Sequence, residues 1–170
     1  MHLIIDGYNL IRQSPVLKHL DARDLEAGRA ALLERLADYR RLRTHLSLTV
    51  VFDGWQAGGP TETRDLYRGV RVIYSRRGER ADEVIKRLLS RERQRALVVS
   101  SDRELQAWAA RLGAAWASAA EFDLLSTRLP GAEADEPAAE ETRRWAPAKK
   151  GPAKRPSKKE RQRQHRLRKL

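Results

Sequence analysis

Leu3-Ile4-Ile5-Asp6-Gly7-Tyr8-Asn9 is the stretch on which the reading of this chain turns. Three consecutive apolar residues without polar alternation are what a strand buried on both faces requires, and such strands belong to parallel sheets. The run stops at Asp-Gly, a pair suited to a turn, which leaves a carboxylate at the strand's carboxyl end.

The same pattern recurs downstream. Leu48-Thr49-Val50-Val51-Phe52-Asp53 is a second buried strand ending in Asp-Gly, and between the two lies a helix from about Asp24 to Arg43, with Leu25, Gly28, Leu32, Leu36 and Tyr39 on one face. A third strand is read over Val70 to Ser75, followed by the basic turn Arg76-Arg77-Gly78-Glu79-Arg80 and a helix from about Ala81 to Arg93. Ala96-Leu97-Val98-Val99 is a fourth strand. Ser101 and Glu104 have capping-box spacing, and Leu105, Trp108, Ala109 and Leu112 follow at helical intervals, with Trp108 read as core. Gly113 closes that helix, Ala114 to Ser118 forms a short fifth strand, and a last helix carries Phe122, Leu125 and Leu129.

Strands alternating with helices predict an α/β fold in layers, with a mainly parallel central sheet of about five strands. Right-handed crossovers then gather all the strand carboxyl ends on one edge. The domain is expected to span residues 1–130. An acidic and then Pro/Lys-rich linker is expected over 131–156, and a basic tail, disordered or helical, over 157–170.

Charge divides along the same lines. Of the net +12, residues 1–130 hold 22 Lys and Arg against 17 Asp and Glu, whereas residues 142–170 hold 13 against the single acid Glu160. A tail of that composition seeks polyanions. The absence of cysteine excludes disulfides and thiolate metal sites, and His2, His19, His45 and His165 lack zinc-ligand spacing. No apolar run approaches the ~20 residues of a membrane span, and no signal peptide is legible, so a cytoplasmic protein is expected.

Four acids occupy equivalent places: Asp6 and Asp53 at the ends of strands one and two, Asp82 at the start of a helix, and Asp102 just past strand four. In a parallel sheet these places converge on one crevice. Taken singly, Asp6 and Asp53 read equally well as turn residues, and Asp82 and Asp102 read better as helix-start residues; their coincidence on one edge favours a joint role. Clustered carboxylates repel one another unless a cation neutralises them, and hard oxygen ligands suit Mg²⁺ or Mn²⁺. A divalent ion so placed polarises phosphate and acidifies water, which is the chemistry of phosphodiester hydrolysis.

Around these acids, Asn9 is placed to orient a carboxylate or meet a phosphate, with a local turn as the other reading. Tyr8 and Trp55 are candidates to stack on bases, or to pack at the core's rim. Arg76, Arg77 and Arg80 precede Asp82 and are candidate contacts for a phosphate backbone, or else a solvated loop.

With Asp6-Gly7-Tyr8-Asn9, Val51-Phe52-Asp53-Gly54, Ala81-Asp82-Glu83 and Ser100-Ser101-Asp102 in order, roughly residues 1–129 resemble a NYN domain of the YacP-like group, within the PIN-like nuclease superfamily. The resemblance implies a PIN-like three-layer sandwich, Mg²⁺ or Mn²⁺ dependence and endoribonuclease activity. It also implies that Asp6 is the central metal ligand, that Asp82 and Asp102 are its partners, that Asn9 supports them, and that Asp53 is a variable member of the shell. Relatives often carry a further acid where this chain has Gln106, and Glu83 is the nearby substitute. The group includes a ribosome-associated ribonuclease acting on messenger RNA, so mRNA is the implied substrate and the ribosome or its RNA an implied partner of the tail.

Two other classes compete. A non-catalytic RNA-binding or ribosome-associated adaptor would keep this fold, yet it gains nothing from gathering negative charge where phosphates approach. A phosphatase with its nucleophile after strand one needs a second Asp two residues on, where this chain has Tyr8. Dinucleotide and nucleoside-triphosphate folds need glycine-rich turns that are not present.

Overall fold

Every residue of the first strand, His2–Asp6 (β1), is buried, as the unbroken apolar run requires. The structure, a computed structural model, describes residues 1–54 and 59–127 together with residues 165 and 167. Trp55, the linker 131–156 and most of the basic tail lie outside the described residues.

After β1 come helices Gly7–Gln13 (α1), Pro15–Asp21 (α2) and Leu25–Leu42 (α3), then strands Ser47–Phe52 (β2), Thr63–Tyr67 (β3) and Val70–Tyr74 (β4). Helix Ala81–Glu92 (α4), strand Ala96–Val99 (β5), helix Arg103–Arg111 (α5), strand Ala115–Ala117 (β6) and helix Ala119–Thr127 (α6) complete the order. Six strands among the described residues form one sheet in the order β3-β4-β2-β1-β5-β6. All neighbours run parallel except β3 and β4.

The alternation along β1 sorts the core into two layers. Leu3 and Ile5 face α1, α2, α3 and α6, packing with Leu10, Leu36, Tyr39 and Phe122, whereas Ile4 faces α4 and α5 among Val84, Ile85, Leu89 and Leu105. Helices therefore cover both faces, as a parallel sheet demands. Arg35 ties α3 to α6, reaching Asp123 Oδ1 at 2.6 Å and Ser126 Oγ from Nε at 3.1 Å.

The five expected strands are present, and the sheet gains one more. β3 is almost wholly exposed and polar, so it offers no apolar run; it pairs antiparallel with β4 across Arg68-Gly69, both at positive φ (46° and 87°), as tight two-residue hairpins favour. A second departure follows Asp6. The chain enters α1 at once rather than through a separate turn, because the Asp6 side chain caps the helix on the Asn9 N–H. Gly7 is required there: a Cβ would lie 2.4 Å from Phe52 Cε1.

The expected capping box is not the cap of α5. Asp102 caps it, accepting from the N–H groups of Glu104 and Leu105, while Ser101 Oγ accepts from the Ala119 N–H at 3.2 Å. Trp108 is half-buried rather than core, with Lys86 and Arg111 over its ring. His165 and Leu167 are helical, and Leu167 packs against the α3-side core. Among the described residues, no helix is long and apolar enough to cross a membrane.

Candidate active site

β1 lies between β2 and β5, so the chain leaves it towards β2 and later crosses to its other side by way of α4. Such a switch point opens a crevice at the strands' carboxyl ends. Asp6 stands there as the last residue of β1.

Asp6 is 9% exposed, and each of its oxygens is engaged. Oδ1 accepts from the Asn9 N–H at 3.2 Å and Oδ2 from Ser100 Oγ at 3.1 Å. Burial raises its pKa to about 6, against the pull of those two hydrogen bonds, and the charges of Asp82 and Asp102 push it further in the same direction. The charges of Asp82 and Asp102 therefore both reach Asp6. Asp53 lies at the same edge, directly after β2, but is not among the leading influences on Asp6.

Asp82 sits half-buried in the first turn of α4. Burial raises its pKa, Asp102 and Glu104 raise it further, and Lys86 and Arg80 oppose them. Its carboxylate accepts no hydrogen bond from the described residues. Asp102 divides its two oxygens: Oδ1 accepts from Glu104 N at 2.6 Å and Leu105 N at 3.2 Å, which leaves Oδ2 outside the cap.

The supporting contacts fall on residues that the sequence ranked lower or missed. Ser100 is fully buried and joins two acids, because its Oγ both donates to Asp6 and accepts from the Asp102 N–H at 3.1 Å. Asn9 orients Asp6 through its backbone N–H rather than its amide; the amide oxygen instead accepts from Ser101 N at 2.8 Å, fastening α1 to the β5–α5 loop. Gln106, where an acid was looked for, donates from Nε2 to Ser100 O at 2.8 Å. Glu83 is exposed; Glu104, ion-paired with Lys86, is the further acid whose charge reaches Asp82. The one hint in the sequence was the polar Ser-Ser-Asp run closing an apolar strand.

Tyr8 packs its ring edge-on against Phe52, with centroids 5.4 Å apart, and Phe52 stacks on Tyr74. Burial raises the Tyr8 pKa, Arg29 opposes that rise and Asp21 adds to it. Arg76 lies 3.6 Å from Glu79 Oε2, and the buried Glu79 is also held by Arg87 at 2.7 Å. Arg77 and Arg80 are exposed on either side of that anchor, and Arg80 is close enough to lower the Asp82 pKa.

Among the described residues, no three His, Asp or Glu side chains form a ready-made metal cage. The donor set nevertheless suits a hard cation, since it is all carboxylate oxygen, mutually repelling, and only partly committed to hydrogen bonds. Mg²⁺ in particular keeps several waters and is held by one or two carboxylates rather than by a full protein cage.

The model of the YacP-like NYN domain family matches residues 3–169. The chain belongs to that family. The match runs beyond the 1–129 expected from motifs alone and takes in the basic segment. It places the fold among the PIN-like nucleases and supports a ribonuclease-type function. The chain is 37% identical over 86 residues to "Uncharacterized protein YacP" of Bacillus subtilis strain 168, covering 51% of this chain and 49% of that protein. It thus spans about half the length of that curated relative. Two crystal structures of Rae1 (YacP) from Bacillus subtilis share the fold. A variant of that protein superposes with a TM-score of 0.60 at 31% identity, over 74% of this chain and 73% of the other. The second gives 0.58 at 34%, over 75% and 72%.

Proposed function

We propose that this family member is a divalent-metal-dependent endoribonuclease that hydrolyses RNA phosphodiester bonds at the carboxylates of Asp6, Asp82 and Asp102. The observation that carries the reading is the coupling of these three acids at the sheet's switch point, where burial and mutual repulsion hold Asp6 well above the usual carboxylate range. A pure binding surface for phosphates has no use for such a cluster.

Asp6, Asp82 and Asp102 Oδ2 are the oxygens that would hold Mg²⁺ or Mn²⁺. When bound, such an ion offsets their repulsion, draws in a phosphate and acidifies water. The protein's own part is positional. Ser100 and the Asn9 N–H fix the Asp6 carboxylate, Asn9 Oδ1 and Gln106 brace the loop carrying Asp102, and Asp82, which accepts no hydrogen bond from the described residues, is the group best able to orient or deprotonate a water. Arg76, Arg77 and Arg80, which precede Asp82, are read as phosphate contacts, and Tyr8, two residues past Asp6, as a further substrate contact. Asp53 is a peripheral member.

The substrate is read as messenger RNA on the ribosome, in a cytoplasmic setting, with the basic tail on ribosomal RNA. Family likeness and the 13 Lys and Arg of residues 142–170 support that reading. Cleavage of a defined RNA is the test, on naked RNA and on translating ribosomes, with Mg²⁺ or Mn²⁺ and with EDTA. Metal-dependent cuts without 2′,3′-cyclic phosphate ends are expected, because water is the nucleophile. Cyclic ends, or cleavage undiminished by EDTA, would contradict the mechanism. Deleting residues 142–170 should weaken RNA binding and flatten its salt dependence by about 0.7 per lost contact.

A further inference from the structure

The end of the sheet opposite the acids carries a concentration of positive charge. α4 and α5 pack on β1, β2 and β5, and the β3–β4 hairpin extends past them, so part of its α4-side face lies open. Two adjoining clefts of about 450 and 530 Å³ run along it from the start of β1, sharing His2, Arg71 and Glu92.

Arg71 distinguishes this trough. Its Nη2 donates to Ser47 Oγ at 2.7 Å and to His2 Nε2 at 3.3 Å, so the guanidinium is held by neutral acceptors. Other arginines fixed by the fold are matched to carboxylates, Arg35 to Asp123 and Arg87 to Glu79. Among the described residues Arg71 has no acid partner. An arginine oriented in this way keeps its charge and its Nε and Nη1 donors for an anion.

His2 makes the arrangement possible. It is 7% exposed, and burial together with Arg71 holds its pKa below the ordinary value; with Nδ1 turned to Glu92, Nε2 is the nitrogen that faces Thr49 Oγ1 at 2.8 Å and Arg71 Nη2 at 3.3 Å. Its Nδ1 faces Glu92 at 3.5 Å, and Glu92 also meets Arg95 at 3.6 Å, which engages one of the two acids lining the clefts; the other, Asp65, accepts from the Leu66 N–H at 2.7 Å. Arg91, in the last turn of α4, lines the same cleft and has no acid partner among the described residues. Two fixed or adjacent guanidinium groups above an apolar floor of Ile73 and Leu88 form a surface for a phosphate backbone.

We propose that this trough is an RNA exosite in which Arg71 and Arg91 hold a phosphodiester outside the cleavage site. It rests on the ribonuclease reading for its choice of polyanion. Four residue steps of β1 separate it from Asp6, about 13 Å, so the phosphate held here is not the scissile one.

The test is RNA affinity of the full chain in EDTA, by fluorescence anisotropy. One probe is a hairpin long enough to span both ends of the sheet, and the other a dinucleotide, whose single phosphodiester cannot span them. Arg71→Gln with Arg91→Gln should weaken hairpin binding about tenfold and reduce the slope of log K against log[salt] by roughly one to two contacts, with a smaller loss on the dinucleotide. Unchanged hairpin affinity in a folded double variant, or an equal loss on both probes, overturns the exosite. If the double variant does not fold, Arg91→Gln alone, at an exposed position, should show about half the effect, and no effect overturns the proposal equally. Hairpin binding lost on substitution in a protein that cleaves no RNA would sink the nuclease reading and leave the exosite standing. Cleavage by a protein whose variants bind as wild type would do the reverse.

Discussion

Ser100 donates its hydroxyl to Asp6 Oδ2 at 3.1 Å, and so fastens the end of β5 to the end of β1 at the point where the carboxylates meet. The same oxygen accepts from the Asp102 N–H, which places Asp102 in register with Asp6.

Ser100→Ala should accordingly do more than remove a hydroxyl. It leaves a buried carboxylate oxygen and a backbone N–H short of a partner, a loss of about 1–3 kcal/mol in urea denaturation. On the proposed metal mechanism RNA cleavage should fall roughly 10–100-fold, the usual effect of removing a group that orients metal ligands. Wild-type cleavage in this variant would show that the link is structural alone.

Asp6 gives the fold a pH dependence of unusual sign. Its folded pKa of about 6 lies above the ordinary 3.8, so the folded state holds this proton more tightly than the unfolded chain. The ionisation penalty is absent below about pH 4, grows as pH rises to about 6, and is constant above. In EDTA, Asp6→Asn should therefore gain on wild type over that window, levelling off at a difference on the order of 3 kcal/mol. His2, whose lowered pKa destabilises the fold as pH falls below the ordinary histidine range, is common to both proteins and cancels in the difference. Urea unfolding at a series of pH values checks the sign. Mn²⁺ should close the gap by raising the Tm of wild type but not that of Asp6→Asn.

Gln106 explains itself through Ser100. Its amide nitrogen donates to the Ser100 carbonyl at 2.8 Å, a contact that a carboxylate cannot make. Gln106→Glu should lower metal-free stability by about 1–2 kcal/mol, through the lost hydrogen bond and added repulsion, and Mn²⁺ should recover part of it. Equal stability with and without metal would show that the new acid does not reach the site.

The legibility of this chain followed burial. Leu3-Ile4-Ile5 and Ala96-Leu97-Val98-Val99 declared themselves because strands covered on both faces must be apolar throughout, and their carboxyl ends placed Asp6 and Asp102. Thr63–Tyr67 was missed because an exposed edge strand needs no apolar residue; its one cue was the Arg68-Gly69 turn. α1 was missed because Asp6-Gly7 suits a turn and a helix start alike, and only the Phe52 ring against Gly7 shows why glycine follows the acid. Within the site, the acids could be found by position. The donors that fix them could not, since Ser100, the Asn9 N–H and Gln106 act through contacts formed only when distant segments meet.

The most direct measurement of the central claim is the rate of RNA cleavage in Mn²⁺ by wild type, Asp6→Asn and Asp82→Asn, on the substrate, naked or ribosome-bound, that wild type cuts. Each substitution should lower the rate by at least about a thousandfold, comparable to the loss of a principal electrostatic stabiliser, and the pair together should be little worse than either alone because the carboxylates act as a unit. Cleavage at the wild-type rate by a folded double variant would contradict the account.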